Sequence, residues 1–148
     1  MIRIYSLFVF TLFVFTLSAQ TDHAIDRKGV ERAMLDYVEG FYEGDTSKII
    51  RGVLPAVTKY GYWKDKKTGQ YAGEPMSFAE MKAFARNVQE KGKFAKPDAV
   101  KKVEIYEVQD QTASGKVTAW WGADYILLGK YDGQWKIVQV LWQGPLKN

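Results

Sequence analysis

Proton chemistry in this chain would have to come from a carboxylate and a tyrosine, and the positions that suit it are Asp124 and Tyr37. Asp124 opens a β-prone segment beside Trp120 and Trp121. A carboxylate buried against aromatic rings has its pKa raised toward the range in which it can shuttle protons, and a tyrosine hydroxyl can stabilise an oxyanion. Tyr37 belongs to an apolar stripe of helical spacing, so its hydroxyl must find a partner in the interior, where it could orient a ligand. Each residue also has a plainer reading. An aspartate directly after Gly122 and Ala123 is more often a turn residue bonded to backbone, and a core tyrosine is more often bonded to a carbonyl. Glu104 and Glu107 fall on opposite parities of one strand, so only one of them is expected to face inward.

Other chemistries lack their residues. There is no cysteine, which removes thiol nucleophiles, thiolate metal sites and redox pairs. The single histidine, His23, lies near the start of the chain, where a solvated tail residue is the expected role. No metal site is therefore expected. A Gly-x-Ser-x-Gly elbow, a phosphate-cradling glycine loop and a dinucleotide fingerprint are all missing, so no cofactor is expected either. The formal net charge of +4 is spread along the chain, and its densest run, Lys64 to Lys67, reads as a solvated turn. A nucleic-acid surface would need a longer basic stripe with interleaved aromatics.

The elements that must position these groups begin after a leader. Arg3 is a short positive region, Ile4 to Leu17 an apolar one, and Ser18-Ala19-Gln20 a small-residue cleavage zone, the layout of a secretory signal peptide over residues 1–20. Its apolar run is shorter than the roughly 20 residues a spanning helix needs. The protein is thus expected to be exported, periplasmic or secreted, and not held in the membrane after cleavage at Ala19 or Gln20. Residues 21–148 form one domain of about 128 residues, long enough to bury roughly two-thirds of its unfolded surface without disulfides.

Within that domain, Val30, Ala33, Met34, Tyr37, Val38 and Phe41 make one face of a helix over residues 22–43, with Gly44 as its cap. A short helix over residues 47–53 has Asp45, Thr46 or Ser47 as its candidate cap and is stopped by Pro55. Residues 56–63 read as a strand, Lys64 to Gly69 as a turn and residues 70–72 as a returning partner. Ser77 and Glu80 form a capping box for a helix that Gly92 ends, with Phe78, Met81, Phe84, Ala85 and Val88 on its apolar face. Residues 99–109, 116–121, 124–131 and 134–142 then alternate with period two. Turns at residues 111–115, 121–123 and Asp132-Gly133 make them an antiparallel meander. The order predicts an α+β fold, a curved antiparallel sheet packed against about three helices. Such a sheet does not fill its own concavity, and the cone that remains is the natural place for a ligand.

Aromatic rings are mounted on these elements in number. Tyr60, Tyr62, Trp120 and Trp142 lie on strands, while Trp63 and Trp121 have the opposite parity to their neighbours, so both sheet faces receive large rings. One face is expected to pack on the helices, and the other to be covered by a second copy in a symmetric homodimer. Scattered surface aromatics that need no partner are the simpler alternative.

Two segments carry a resemblance. Tyr37-Val-Glu-Gly-Phe41 with Gly44-Asp45, and the run from Asp124 to Val138 with its Asp132-Gly133-Gln134-Trp135-Lys136-Ile137 core, followed by Leu141-Trp142, are similar to the nuclear transport factor 2-like superfamily. Within it they most resemble the small bacterial group called putative lumazine-binding proteins. That group often has a histidine-proline-acidic stretch before the first strand, where this chain has Leu54-Pro55-Ala56-Val57. The resemblance implies a cystatin-like cone with a pocket between helices and sheet, and frequently a homodimer formed across the sheets. It implies no single activity, because the superfamily includes isomerases, cyclases, dehydratases and members without known chemistry.

The expected function is an exported binding protein that holds a small, flat, apolar or aromatic molecule, with Tyr37, Phe41, Tyr60, Tyr62, Phe84, Trp120, Asp124 and Trp142 as the lining. A proton-transfer enzyme using Asp124 as base and Tyr37 as donor is the alternative, against which weigh the lack of any histidine besides His23 and the turn reading of Asp124. A protein–protein module using exposed aromatics is the third reading.

Overall fold

The computed structural model describes residues 3–146. Three helices pack on a six-stranded, curved, unclosed sheet. Helix α1 spans Arg3–Glu43, α2 Thr46–Gly52 and α3 Phe78–Glu90. The strands are β1 (Val53–Lys64), β2 (Tyr71–Pro75), β3 (Lys101–Val108), β4 (Thr112–Ala119), β5 (Gly122–Tyr131) and β6 (Gln134–Gln143). Their order across the sheet is β2-β1-β6-β5-β4-β3.

β3 to β6 form the expected meander, each strand antiparallel to the next. The β5–β6 turn is the two-residue Asp132-Gly133, and both residues have positive φ, 49° and 75°. Two successive left-handed residues make the turn whose twist matches a right-handed strand pair, and glycine adopts the second at no steric cost. β1 is antiparallel to β2 but runs parallel to β6. Register shifts interrupt the pairings of β1 with β6, β3 with β4 and β5 with β6. Bulges of this kind bend strands, which is how the sheet acquires its concave face.

Several boundaries differ from the sequence pattern. α1 is continuous from Arg3, beyond the amphipathic stretch that marks its second half; the leader side chains lie outside the described residues. No helix among the described residues is long and apolar enough to cross a membrane. α2 ends at Gly52 and passes directly into β1, so Pro55 is not its stop. Pro55 lies in β1 between Val53 and Thr58, where the ladder to β6 is interrupted, the position in which a residue without an N–H is tolerated. β4 starts at Thr112, in the stretch read as a turn, because Gln109 N–H closes a shorter turn on the carbonyl of Thr112. Trp120 and Trp121 form the β4–β5 turn instead of ending a strand.

The core lies between α1 and the inner face of the sheet. Val30, Met34, Tyr37 and Val38 of α1 meet Val117, Ile126, Leu128, Ile137 and Val140, all fully or almost fully buried. Each such aliphatic side chain contributes about 1.5–3 kcal/mol by leaving water. The capping box at Ser77 and Glu80 is formed as expected, and Asp45 caps α2. A charged seam ties the helices together. Asp36 accepts two bonds from Arg51, at 2.6 and 2.7 Å, and contacts Arg32. Glu39 sits among Arg32, Lys48 and Lys101.

Candidate functional site

The site is built between α1, α3 and the inner face of the sheet at β1, β6 and the β4–β5 turn. On β1, alternation sends Lys59 and Gly61 inward and Tyr60 and Tyr62 outward. Lys59 is 8% exposed, an unusual place for a lysine. Its Nζ donates to the hydroxyl oxygen of Tyr37 at 2.7 Å. The Tyr37 hydroxyl in turn donates to Asp124 Oδ1 at 3.0 Å. The second carboxylate oxygen, Oδ2, accepts from Trp121 Nε1 at 2.6 Å. Lysine, tyrosine, aspartate and tryptophan thus form one hydrogen-bonded line drawn from β1, α1, β5 and the β4–β5 turn.

Local structure explains each placement. Tyr37 lies on the buried stripe of α1. Asp124 shares the inward row of β5 with Ile126 and Leu128, and is fully buried. The plainer reading of Asp124 as a backbone-bonded turn residue is therefore replaced by that of an interior strand residue. The turn that carries Trp121 is fixed by Tyr42, whose hydroxyl donates to the carbonyl of Val100 and accepts from Trp120 N–H.

Burial shifts the equilibria of all three titratable groups. Removing the ammonium of Lys59 from water lowers its pKa to about 8, with Asp124 opposing the shift. Desolvation raises the Asp124 carboxyl, against the pull of Lys59, Trp121 and Tyr37. Burial, reinforced by the neighbouring carboxylate, holds the Tyr37 phenol well above its ordinary value. The amine and the carboxyl are both displaced toward their neutral forms, while the phenol stays protonated and bridges them.

Lys59 forms the floor of a cavity of about 190 Å³. Its walls are Phe41 of α1, Met76 of the β2–α3 link, Phe84 of α3, Trp120 and Trp121 of the turn, and Trp142 of β6. Nζ also lies 5.1 Å from the ring centre of Phe41, within reach of a cation–π attraction. Phe41 meets Tyr37, Phe84 and Trp121 edge-on at 5.1, 5.6 and 5.7 Å, which holds the cage in one arrangement. Gly61 makes one wall possible. A Cβ there would lie 1.6 Å from Trp142 Nε1, so only glycine lets the indole lie across β1. Beyond Phe41, Phe84, Trp120 and Trp121 the cavity opens onto a wider groove of about 720 Å³, bounded by the segment from Lys93 to Ala99.

Of the residues expected to line the cone, Phe41, Phe84, Trp120 and Trp142 do so. Tyr37 and Asp124 stand behind Lys59 and reach the cavity only through it. Tyr60 and Tyr62 do not line it at all. They lie on the opposite sheet face, ring against ring at 5.2 Å, because their parity is that of the outer surface. Neither Glu104 nor Glu107 is buried: Glu104 pairs with Lys102 and Lys116, and Glu107 accepts from Gln109. The bulge between Ile105 and Glu107 breaks the alternation that would have sent one of them inward. Lys59, Met76 and Trp121 also belong to the site, although their sequence pattern did not mark them for it. Lys59 shares the parity of Val57 and Trp63, and that was its only signal. Among the described residues no group of three His, Asp or Glu side chains is placed to hold a metal ion.

The family model described as "Putative lumazine-binding" matches residues 25–143. No curated protein matches the sequence. Among solved structures, an NTF2-like protein of unknown function from Silicibacter pomeroyi is similar over 85% of this chain and 98% of its own, with 17% identity and a TM-score of 0.62. One from Methylobacillus flagellatus is similar over 82% and 93%, at 20% identity and TM-score 0.62. An NTF2-like protein with a cystatin-like fold from Novosphingobium aromaticivorans covers 89% and 90%, at 12% identity and TM-score 0.61. At these identities the likeness is one of fold.

Proposed function

The chain belongs to the putative lumazine-binding family, and from that premise we propose that it is an exported protein that binds one small, flat, largely apolar molecule carrying an acceptor oxygen. The observation that carries this reading is the aromatic cavity with a single buried amine at its floor. Size supports a ligand of one or two rings, since an apolar cavity of about 150 Å³ already accepts benzene. The walls are apolar, so shape and ring stacking would supply affinity, and Lys59 would fix orientation. Of the three ammonium protons of Lys59, one is used by Tyr37, which leaves donors for a ligand oxygen. A net anionic ligand is disfavoured relative to a neutral carbonyl one, because Asp124 already places a carboxyl behind the lysine. The leader layout of residues 1–20 supports export.

The hydrogen-bonded line from Asp124 through Tyr37 to Lys59 favours one second reading, proton transfer to or from the bound molecule. The test is to recover the protein from the exported fraction of its own host and determine the electron density in the cavity. The proposal expects a chain that starts at Gln20 or Thr21 and a planar molecule with an oxygen at hydrogen-bond distance from Lys59. Protein found only inside the cell, or a cavity holding nothing but water, contradicts it. A changed molecule in the cavity after incubation with the ligand would move the reading to the enzyme.

A further inference from the structure

Lys59 is set up for more than a hydrogen bond. A lysine that only anchored an oxygen would work best as a fixed cation in direct contact with a carboxylate. Here the carboxylate is one residue removed, the hydroxyl of Tyr37 stands between, and the remaining face of the amine looks into a cage of rings. We propose that Lys59 is the nucleophile of a covalent carbonyl-binding site: its Nζ condenses reversibly with an aromatic or conjugated aldehyde or ketone in the cavity, and Tyr37 passes the proton between that nitrogen and Asp124. This rests on the small-molecule reading above and adds a bond to it.

The steps balance without any co-reactant. The ammonium gives a proton to the Tyr37 oxygen as the Tyr37 hydroxyl gives its own to Asp124, leaving a neutral amine and a neutral carboxyl. The nitrogen lone pair forms the C–N bond while the carbonyl π pair moves to oxygen; that oxygen gains a proton and the nitrogen loses one, giving a carbinolamine. The nitrogen lone pair then expels the oxygen, protonated again from Asp124 through Tyr37, as water, and the C=N bond of the imine remains. The apolar walls favour the step that releases water. The same burial supplies reactive amine. With a pKa of about 8, roughly a fifth of Lys59 is neutral at pH 7.4, against about one in a thousand for a solvated lysine.

The experiment uses protein expressed from the whole gene, benzaldehyde as the probe and cyanoborohydride to reduce any imine. Saturable quenching of tryptophan fluorescence reads occupancy of the cavity, and intact and peptide masses read the adduct. The expected result is one benzyl group, on Lys59, formed at least ten times faster than on any other lysine. Lys59→Met and Lys59→Arg should both remove it, the second as a check that loss does not reflect misfolding. Tyr37→Phe should keep the quenching and slow the adduct about tenfold or more. Saturable quenching with no adduct at Lys59, or with adducts only on surface lysines at equal rate, overturns the covalent step and leaves the binding reading intact. An unchanged rate in Tyr37→Phe overturns the proton relay. Neither quenching nor adduct would count against both.

Discussion

A buried lysine is costly, and its cost is visible in how stability depends on pH. Lys59 binds its proton less tightly in the folded state, at about 8, than in the unfolded chain, where it has an ordinary lysine value. The unfolded state therefore holds more protons between those values, and stability rises with pH through that window. Below about pH 8 the penalty is fully present; it amounts to about 3 kcal/mol and is relieved as the pH approaches that of a free lysine. Urea unfolding at pH 7.5 and pH 10 should show this gain, and Lys59→Met should abolish the Lys59 share of it. An identical slope in the variant would mean that the ammonium is not desolvated. Asp124→Asn tests the other end of the line. It leaves Lys59 without its counter-charge and is expected to cost about 3 kcal/mol at pH 7, the scale of breaking a buried pair by removing one partner. At this scale the sequence was only partly legible. Asp124 and Tyr37 could be singled out by type, but a lysine in a strand reads as a solvent-facing residue, and only its parity with Val57 and Trp63 argued otherwise.

At the scale of elements, the parts that could be read are those with local signals. Ser77 and Glu80 specify the start of α3 through their own reciprocal bonds, and Asp132-Gly133 specifies the β5–β6 turn through its backbone angles. What was hidden depends on partners far away in the chain. Ala113 and Gly115 look like turn residues, yet they lie in β4, paired with Val108 and Ile105 of β3 and with Leu128 and Ile126 of β5, and Met34 of α1 occupies the space above Gly115. The parallel pairing of β1 with β6 brings Gly61 opposite Trp142, and no local pattern announces it. That pairing makes a prediction for the cavity. In Gly61→Ala the new Cβ must displace the indole of Trp142, so the wall is lost while the ladder is kept. Quenching by benzaldehyde should weaken by about tenfold or more, with far-ultraviolet circular dichroism unchanged. Unaltered quenching would remove Trp142 from the binding surface.

The whole molecule presents a second face. Tyr60, Tyr62, Tyr125, Leu127 and Leu141 are exposed on the outer side of the sheet, across adjacent strands β1, β6 and β5. Rings predicted on both faces thus divide into a set that walls the cavity and a set that faces outward. An apolar surface spread over three strands supports the proposal of a symmetric homodimer through the sheet. Sedimentation at tens of micromolar should give a dimer, and Leu127→Lys, which puts a charge into that apolar surface, should give a monomer with its cavity intact. A monomeric unmodified protein would contradict the dimer without touching the site, because no outward residue takes part in it.

The cavity itself bears most directly on the central claim that this fold holds a small molecule against Lys59. The decisive measurement is the electron density between Phe41, Trp121, Trp142 and Lys59 in crystals of the protein recovered from its own host. A planar, one- or two-ring molecule stacked within the aromatic walls is expected, with an oxygen or a carbon at bonding reach of Lys59 Nζ. Walls collapsed onto one another, or ordered water alone in the cavity, would contradict it.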